Sequence, residues 1–277
     1  MRQTEPGFMI PHDYHIHTNF SCDSQATMSD MCRAALAMGI PEIAFTDHFD
    51  LIPEDPCYAF FQADGWWQEI KRCRQAFRHS LIIRAGVEIG EPHRFRAEVD
   101  DLLASHPWDF AIGSLHWTAD ELIFDPQYYQ QPEDRAYRRY FGELLQMVEQ
   151  SDIDILAHLD IVKRYGFEHY GPFDPQRYQS EIRSILRACA SRGIAIEVNT
   201  STLRRSVNEP SPNTTPLRWF AEEGGKWITL GSDAHLPEHV GFGLQKAIRS
   251  VCAAGFEVLA AYELRQPRGQ PLCVQAQ

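Results

Sequence analysis

Asp13-Tyr14-His15-Ile16-His17 has the pattern of a β-strand that carries two imidazoles on one side, and the prediction of the fold begins from it. Side chains two residues apart on an extended strand point the same way, so His15 and His17 can reach the same ion. A His-x-His pair is a weak signal by itself. Its weight comes from the rest of the chain, where similar residues recur at the ends of other predicted strands.

Imidazole and carboxylate side chains follow apolar, strand-like runs along the whole sequence, and both are ligands of first-row divalent metals. Glu88 ends such a run, where a buried carboxylate without a cation or hydrogen-bond donors would be costly. The candidate metal ligands are His15, His17, Asp23, His48, Glu88, His116, His158, Asp233 and His235. The series predicts a multinuclear metal centre. We expect the remaining histidines, at positions 12, 79, 93, 106, 169 and 239, to be structural or solvent-exposed.

Short apolar runs alternate with helical patterns, which predicts a parallel sheet wrapped by helices. The predicted strands cover 14–17, 42–46, 81–88, 110–114, 153–157, 194–198 and 227–230, and the predicted helices cover 28–38, 65–79, 133–150, 175–191, 216–223 and 237–254. Ligands at the ends of successive strands are typical of a barrel, whereas an open doubly wound sheet gathers them at one switch point. We therefore predict an α/β fold, a seven-stranded TIM-like barrel in one domain over residues 1–277. Residues 257–277 have no predicted place in it.

The composition narrows the choice of partners. The 277 residues carry a formal net charge of −12 and a pI near 5.4, which argues against a nucleic-acid partner but allows a local basic pocket for a small anion. The sequence has no apolar run of transmembrane length and no leader-like start, so we expect a soluble, cytoplasmic protein without a membrane partner. Its 7 cysteines lack a C-x-x-C pair and predict reduced thiols, with Cys22 a semi-buried one.

These motifs resemble those of the polymerase-and-histidinol-phosphatase (PHP) family, and within it most closely the histidinol-phosphate phosphatases. The likeness runs nearly end to end. It is carried by Asp13-Tyr14-His15-Ile16-His17, Thr46-Asp47-His48, Gly86-Val87-Glu88-Ile89-Gly90, Ile112-Gly113-Ser114-Leu115-His116, His158-Leu159-Asp160, Arg164-Tyr165-Gly166, Glu197-Val198-Asn199-Thr200-Ser201 and Thr229-Leu230-Gly231-Ser232-Asp233-Ala234-His235. The first and last motifs are the most specific to the family. The chain departs from the usual family pattern at Asp23, Asp47 and Thr202.

The resemblance implies a distorted seven-stranded barrel with a trinuclear metal centre. The implied ligand sets are His15, His17, Glu88 and Asp233 for the first ion, Glu88, His116 and His158 for the second, and Asp23, His48 and His235 for the third. Zn, Mn and Fe all suit imidazole and carboxylate ligands, so the metal identity stays open.

The implied reaction is hydrolysis of a phosphomonoester by a metal-activated hydroxide that attacks phosphorus in line. Arg164 and Arg204 are predicted to bind the phosphate, because guanidinium offers the bidentate fork that phosphate oxygens accept. Lys163 and Arg205 are the rival phosphate ligands. Asp47, or a water molecule, would protonate the leaving alkoxide. The predicted catalytic residues are Asp47, Asp233 and His235.

The leading functional prediction is hydrolysis of a small phosphorylated substrate, L-histidinol phosphate, in histidine biosynthesis. One alternative is a PHP phosphoesterase that acts on another small phosphate ester, a nucleotide or nucleic acid, and the acidic net charge disfavours the last of these. A further alternative is a non-catalytic, metal-stabilised module, which the complete ligand set disfavours. The exact ester and the oligomeric state are not predicted.

Overall fold

The computed structural model describes residues 8–272, where strands and helices alternate as predicted. The strands are β1 (Glu42–Phe45), β2 (His48–Phe49), β3 (Ile82–Gly90), β4 (Phe110–Ser114), β5 (Trp117–Thr118), β6 (Glu121–Leu122), β7 (Ile155–Leu156), β8 (Ala195–Asn199), β9 (Ile228–Gly231), β10 (Val258–Glu263) and β11 (Gln266–Pro271). The helices are α1 (Met28–Ala37), α2 (Ala63–Ala76), α3 (Arg96–Ser105), α4 (Glu133–Gln150), α5 (Val162–Tyr170), α6 (Gln179–Arg192), α7 (Thr214–Glu222) and α8 (Leu244–Ala253). Short 3₁₀ helices span Pro126–Gln130, Pro175–Tyr178, Ser201–Arg204 and Pro237–His239.

One curled parallel sheet positions the site. Its strand order is β1-β3-β4-β7-β8-β9, and the short β2 pairs with β3 beyond the end of β1. Each pair along this path is parallel. Parallel neighbours need long crossover connections, which the intervening helices provide. The predicted α/β fold, a TIM-like sheet of seven strands with helices around it, is confirmed.

The predicted first strand, 14–17, lies in the barrel wall without forming a regular ladder. It makes single parallel bridges to both ends of the sheet, Asp13 to Ile43 beside β1 and Ile16 to Ala234 just after β9. On the β9 side, the Tyr14 N–H donates to the Leu230 carbonyl at 2.9 Å. This segment therefore joins the two edge strands and closes the sheet. It also brings His15 and His17 between the first and last units.

Residues 257–272, which the sequence could not place, form a hairpin of β10 and β11 across the N-terminal ends of the barrel strands. Tyr262 packs on Phe110, with ring centroids 5.6 Å apart, and its hydroxyl donates to the Asp154 carbonyl at 3.1 Å. Both rings belong to a buried apolar cluster that also includes Tyr14 and Ala260. The hairpin closes the end of the barrel away from the candidate ligands. Residues 273–277 lie outside the described part of the chain.

Helix boundaries follow the predicted pattern closely where the apolar face is strong. Helix α4 begins and ends as predicted, whereas α3 and α5 were missed. Helix α3 buries only Val99 and Leu102, so its apolar periodicity is too faint to recognise. The predicted starts at Pro175 and Pro237 are 3₁₀ turns that precede α6 and α8.

The prediction that the cysteines are reduced thiols is wrong for two of them. Cys22 and Cys57 form a disulfide, with Cα atoms 5.3 Å apart. They lie 35 residues apart in sequence, in the loops that follow the 14–17 segment and β2, which are neighbours in the barrel wall. Free thiols remain at Cys32, Cys73, Cys189 and Cys252. Over residues 8–272, no helix combines the length and the apolar character needed to cross a membrane.

Candidate metal centre and phosphate pocket

A compact group of imidazoles and carboxylates lies where the barrel strands end. Glu88, near the end of β3 and almost fully buried, is at its centre. Its Oε2 atom lies 3.1 Å from His15 Nε2 and 3.3 Å from His17 Nε2. Asp233, just after β9, places Oδ1 3.4 Å from His17 Nε2 and 3.9 Å from His15 Nε2. The four side chains predicted to share the first ion therefore converge on one point.

The other oxygen of Glu88 faces two more imidazoles. Oε1 lies 3.1 Å from His158 Nε2 and 3.6 Å from His116 Nε2. His116 follows β4 and His158 follows β7, and these strands are neighbours in the sheet. A carboxylate that directs one oxygen to each set has the geometry needed to bridge two cations.

A third group adjoins the first on its solvent side. Asp23 Oδ2 lies 2.9 Å from His235 Nε2 and 3.7 Å from His48 Nε2. His48 Nδ1 also approaches Glu88 Oε2 at 3.1 Å. The ring of His17 stacks on both imidazoles, with centroids 4.3 Å from His48 and 4.1 Å from His235. All the side chains predicted as metal ligands thus lie in one continuous cluster.

The chemistry of this donor set fits divalent cations. His15 Nε2 and His17 Nε2 lie only 3.0 Å apart and face the same carboxylates, an arrangement that a shared cation would stabilise. Burial and then the charges of His235 and His48 lower the pKa of His17 to about 3. In His15, His48, His116 and His235 the nearby carboxylates outweigh burial and raise the pKa, so these rings must lose a proton to bind a metal. Burial opposes ionisation of Glu88, but nearby imidazoles, His15 foremost, hold its pKa well below the usual range.

A buried carboxylate that the sequence did not identify orients His15 through its second ring nitrogen. Glu197 Oε1 lies 2.6 Å from His15 Nδ1 and is almost fully buried on β8. Asp50, also buried, lies beside His116, but its Oδ1 is 3.9 Å from His116 Nδ1, which is beyond hydrogen-bond distance. Glu197 could have been found, because it is a carboxylate in an apolar strand, as Glu88 is. Asp50 lies in a loop and gives no comparable signal.

Asp47 corrects one predicted role. Its side chain is fully buried and does not line the cavity that the ligands share. Its oxygens accept hydrogen bonds from Thr18 N at 2.6 Å, Thr18 Oγ1 at 2.9 Å, Ser21 Oγ at 2.8 Å and Trp66 Nε1 at 2.8 Å. A carboxylate with these four donors and no access to the cavity cannot deliver a proton to a leaving group there. Asp47 instead fixes the loop that follows His17.

The cluster opens into a cavity of about 520 Å³ with cationic and aromatic walls. Arg164 and Arg204, predicted as phosphate ligands, both line it, together with Phe124 and Tyr165. Within residues 8–272, Arg164 Nε is buried and has no hydrogen-bond partner. Arg204 donates to the Ser232 and Asp233 carbonyls, each at 2.8 Å, and so is tied to the turn that carries a metal ligand. The cavity thus joins the cluster to guanidinium donors.

The two residues predicted as alternative phosphate ligands differ in their access to the cavity. Arg205 lines the cavity beside Arg204, whereas Lys163 is fully buried and bonded inside the protein. Lys163 is therefore not a phosphate ligand in this fold. His239, predicted to be structural or exposed, is partly exposed and lines the cavity. The 3₁₀ turn at Pro237–His239 brings it there.

Comparison with known proteins agrees with this arrangement. The PHP domain family matches residues 13–201. A histidinol-phosphatase from Lactococcus lactis subsp. lactis (strain IL1403) is 32% identical over 253 residues, which cover 90% of this chain and 93% of that protein. A probable histidinol-phosphatase from Clostridium acetobutylicum is 28% identical, with 86% of this chain and 91% of that protein covered.

Solved structures show the same relationship. The crystal structure of histidinol phosphate phosphatase from Lactococcus lactis, complexed with zinc, L-histidinol and phosphate, superposes with a TM-score of 0.87 at 30% identity and covers 94% of this chain and 99% of that one. A putative histidinol phosphatase from Listeria monocytogenes, 18% identical, shares the fold with a TM-score of 0.69 over 85% of this chain and 99% of that one. With the motifs, the sheet and the clustered ligands in agreement, the chain belongs to the PHP family.

Proposed function

We propose that this chain is a metal-dependent phosphomonoesterase that hydrolyses L-histidinol phosphate to L-histidinol and phosphate in histidine biosynthesis. The observation that carries the proposal is a single cavity that joins the imidazole–carboxylate cluster to Arg164 and Arg204. The similarity to the Lactococcus lactis histidinol-phosphatase, 32% identical over most of both chains, supports this substrate.

We propose that the cluster holds three divalent ions, with the ligand sets centred on Asp233, on His116 with His158, and on Asp23, and with Glu88 shared between the first two. Zinc in the Lactococcus lactis structure supports zinc as one candidate, while Mn and Fe suit the same donors. Bound divalent ions would lower the pKa of water towards neutrality and offset the negative charge of a phosphate ester.

The chain's own side chains would bind and orient the phosphate. Arg164 has a buried Nε without a partner among residues 8–272, which leaves this donor for an anion. Arg204 uses two N–H groups on carbonyls, and its other donors serve the cavity that it lines. Arg205 is the remaining alternative. Asp233 and His235 both line the cavity and remain the catalytic candidates, whereas Asp47 does not line it.

Room for the leaving group lies beside the phosphate pocket. A second cavity, of about 530 Å³, shares two aromatic residues, Phe124 and Tyr165, and three arginines, Arg164, Arg204 and Arg205, with the first. It is also lined by Tyr129 and by the carboxylate of Glu168. Aromatic faces and a carboxylate suit a planar ring and a cationic amine, and L-histidinol carries both.

We also propose that residues 1–277 act as one domain. Helices α7 and α8 lie beyond the residues that match the family, yet they pack in the same apolar core as α4 and α6. The net charge of −12 favours a small phosphorylated substrate over nucleic acid. The cytoplasmic location stays a prediction.

A substrate panel tests the proposal. The purified protein is stripped with a chelator, reconstituted separately with Zn²⁺, Mn²⁺ or Fe²⁺, and assayed with L-histidinol phosphate, an aryl phosphate, a dinucleotide and single-stranded DNA. We expect phosphate release that depends on metal, with the highest kcat/KM for L-histidinol phosphate. A preference for the dinucleotide or DNA would favour a phosphodiesterase, and metal binding without any hydrolysis would favour a non-catalytic module.

A further inference from the structure

Lys163 is a buried cation that the phosphatase chemistry described above does not use. Its side chain is 0% exposed in the first turn of α5. Its Nζ atom donates to Asp160 Oδ2 at 2.9 Å, Glu209 Oε1 at 2.8 Å and the Pro210 carbonyl at 2.9 Å. All the ammonium protons are therefore engaged inside the protein.

The acceptors of Lys163 belong to two segments that are far apart in sequence. Asp160 lies two residues before α5, and its other oxygen accepts from Ser211 Oγ. The remaining acceptors lie in the segment 200–210, which we call the arginine loop. This loop leaves the sheet at Asn199 and returns at Ser211, and those two residues exchange backbone hydrogen bonds at 2.8 and 2.9 Å. Lys163 thus ties the start of α5 to the arginine loop.

The same two segments carry the guanidinium groups of the cavity. Arg164 is the next residue after Lys163, and Arg204 and Arg205 lie in the arginine loop. Arg204 is held on its far side by the carbonyls that follow β9. The contacts of Lys163 hold the loop on the α5 side. Lys163 therefore links the two segments that carry the guanidinium groups.

We propose that Lys163 is a positioning residue that sets the distance between Arg164 and the arginine loop, and with it the width of the phosphate-binding cavity. The inference rests on the proposed function, in which these arginines bind the phosphate. Buried ion pairs contribute little net stability, because desolvation offsets the attraction between the charges. Their directional hydrogen bonds nevertheless fix geometry, which is what a bidentate anion site requires.

Two variants and a matched control test this role. Lys163→Met removes the ammonium but keeps the length of the side chain, and Glu209→Gln weakens one contact at a side chain that is 32% exposed. Arg84→Met is the control, because Arg84 is a buried cation paired with Glu42 at the opposite end of the barrel. The measurements on each metal-loaded protein are metal content, Tm, kcat, KM for an aryl phosphate and the inhibition constant of inorganic phosphate.

We expect Lys163→Met to raise KM and the phosphate inhibition constant together by roughly ten- to a hundredfold, since a misplacement of about 1 Å can cost about a hundredfold. Glu209→Gln should shift both constants in the same direction by a smaller factor, with metal content unchanged. Arg84→Met should lower Tm and leave both constants unchanged.

The inference is overturned if Lys163→Met lowers Tm and leaves KM and the phosphate inhibition constant at wild-type values. Should Lys163→Met fail to fold, Glu209→Gln decides, and unchanged constants in that variant also overturn the inference. A wild-type protein that neither hydrolyses the aryl phosphate nor binds phosphate would instead refute the proposed function. The two failures are therefore distinguishable.

Discussion

Replacing Glu197 with glutamine tests whether the metal centre depends on the carboxylate behind it. Glu197 Oε1 lies 2.6 Å from His15 Nδ1, while Oε2 accepts from the His158 backbone N–H at 2.9 Å and from Asn199 Nδ2 at 3.1 Å. The glutamine oxygen can keep the His158 and Asn199 bonds. Its amide NH₂ then faces His15 Nδ1–H, so two donors oppose each other and the ring loses the bond that fixes its orientation.

Two independent estimates of the effect agree. Mutating a residue that orients a metal-binding histidine typically costs about 10–100-fold in metal affinity. At about 1.4 kcal/mol per tenfold, this range corresponds to roughly 1.4–2.8 kcal/mol. A hydrogen bond to a charged group is itself worth about 1.5–3 kcal/mol. Because Glu197 is almost fully buried, water cannot replace the lost contact, and we expect an effect in the upper part of the range.

The assay is a competition titration of the stripped protein with a chromophoric chelator, followed by activity at saturating metal. Glu197→Gln should weaken metal binding by about 10–100-fold, with kcat largely restored at high metal concentration. Glu42→Gln is the matched control, since Glu42 is a buried glutamate bonded to Arg84 at the opposite end of the barrel. It should lower Tm without changing metal affinity. Metal binding by Glu197→Gln as tight as in the wild type would refute the reasoning.

Three other predictions follow from single contacts. Gly231→Ala should also weaken metal binding, because the added Cβ would lie 2.0 Å from Glu197 Oε1; unchanged titration would contradict this. Arg164→Ala should raise KM for a phosphomonoester at constant metal content, measured by steady-state kinetics with metal analysis; an unchanged KM would remove Arg164 from the site. Burial lowers the pKa of His12 from 6.5 to about 4, because the folded protein favours the neutral ring. The contribution of neutral His12 to the free energy of unfolding is therefore complete above pH 6.5 and is lost as the pH falls towards 4. Between pH 7 and pH 5, the free energy of unfolding should fall by about 2 kcal/mol less in His12→Asn than in the wild type, as measured by denaturant titration. An equal fall in the two proteins would refute this prediction.

The fold was predictable because most parallel strands of the barrel are short apolar runs that end in a polar residue. A polar residue in that position needs a hydrogen-bond partner or a metal ion. The segment 14–17 was predicted as a strand, and it does lie in the wall, although it makes only single bridges on either side. Helix α4 was predicted to the residue because its apolar face is long. The C-terminal hairpin was not placed, because what it covers, the end of the barrel around Tyr14 and Phe110, exists only after the strands have assembled.

The candidate site also contains residues that the sequence could predict and residues that it could not. Residues that end strands, such as Glu88 and His158, were predictable because an inward-facing charge after an apolar run needs a partner. Asp47 was misjudged because it stands next to a ligand in sequence, and sequence adjacency does not reveal that its oxygens turn to Thr18, Ser21 and Trp66. Its neighbour in the chain, His48, faces Glu88 instead.

Charge compensation explains why so many acids are buried near the cluster. Glu88, Asp233, Glu197 and Asp50 are all nearly inaccessible to water, and their imidazole neighbours can share only a limited number of protons among them. A group of carboxylates this dense is stable only where positive charge is concentrated. Divalent ions supply that charge in a small volume. The arginines lie at the cavity wall, and Arg204 donates two of its hydrogen bonds to backbone carbonyls. Bound ions would therefore add the positive charge that a phosphate ester approaches, so phosphate affinity should fall when the ions are removed by a chelator.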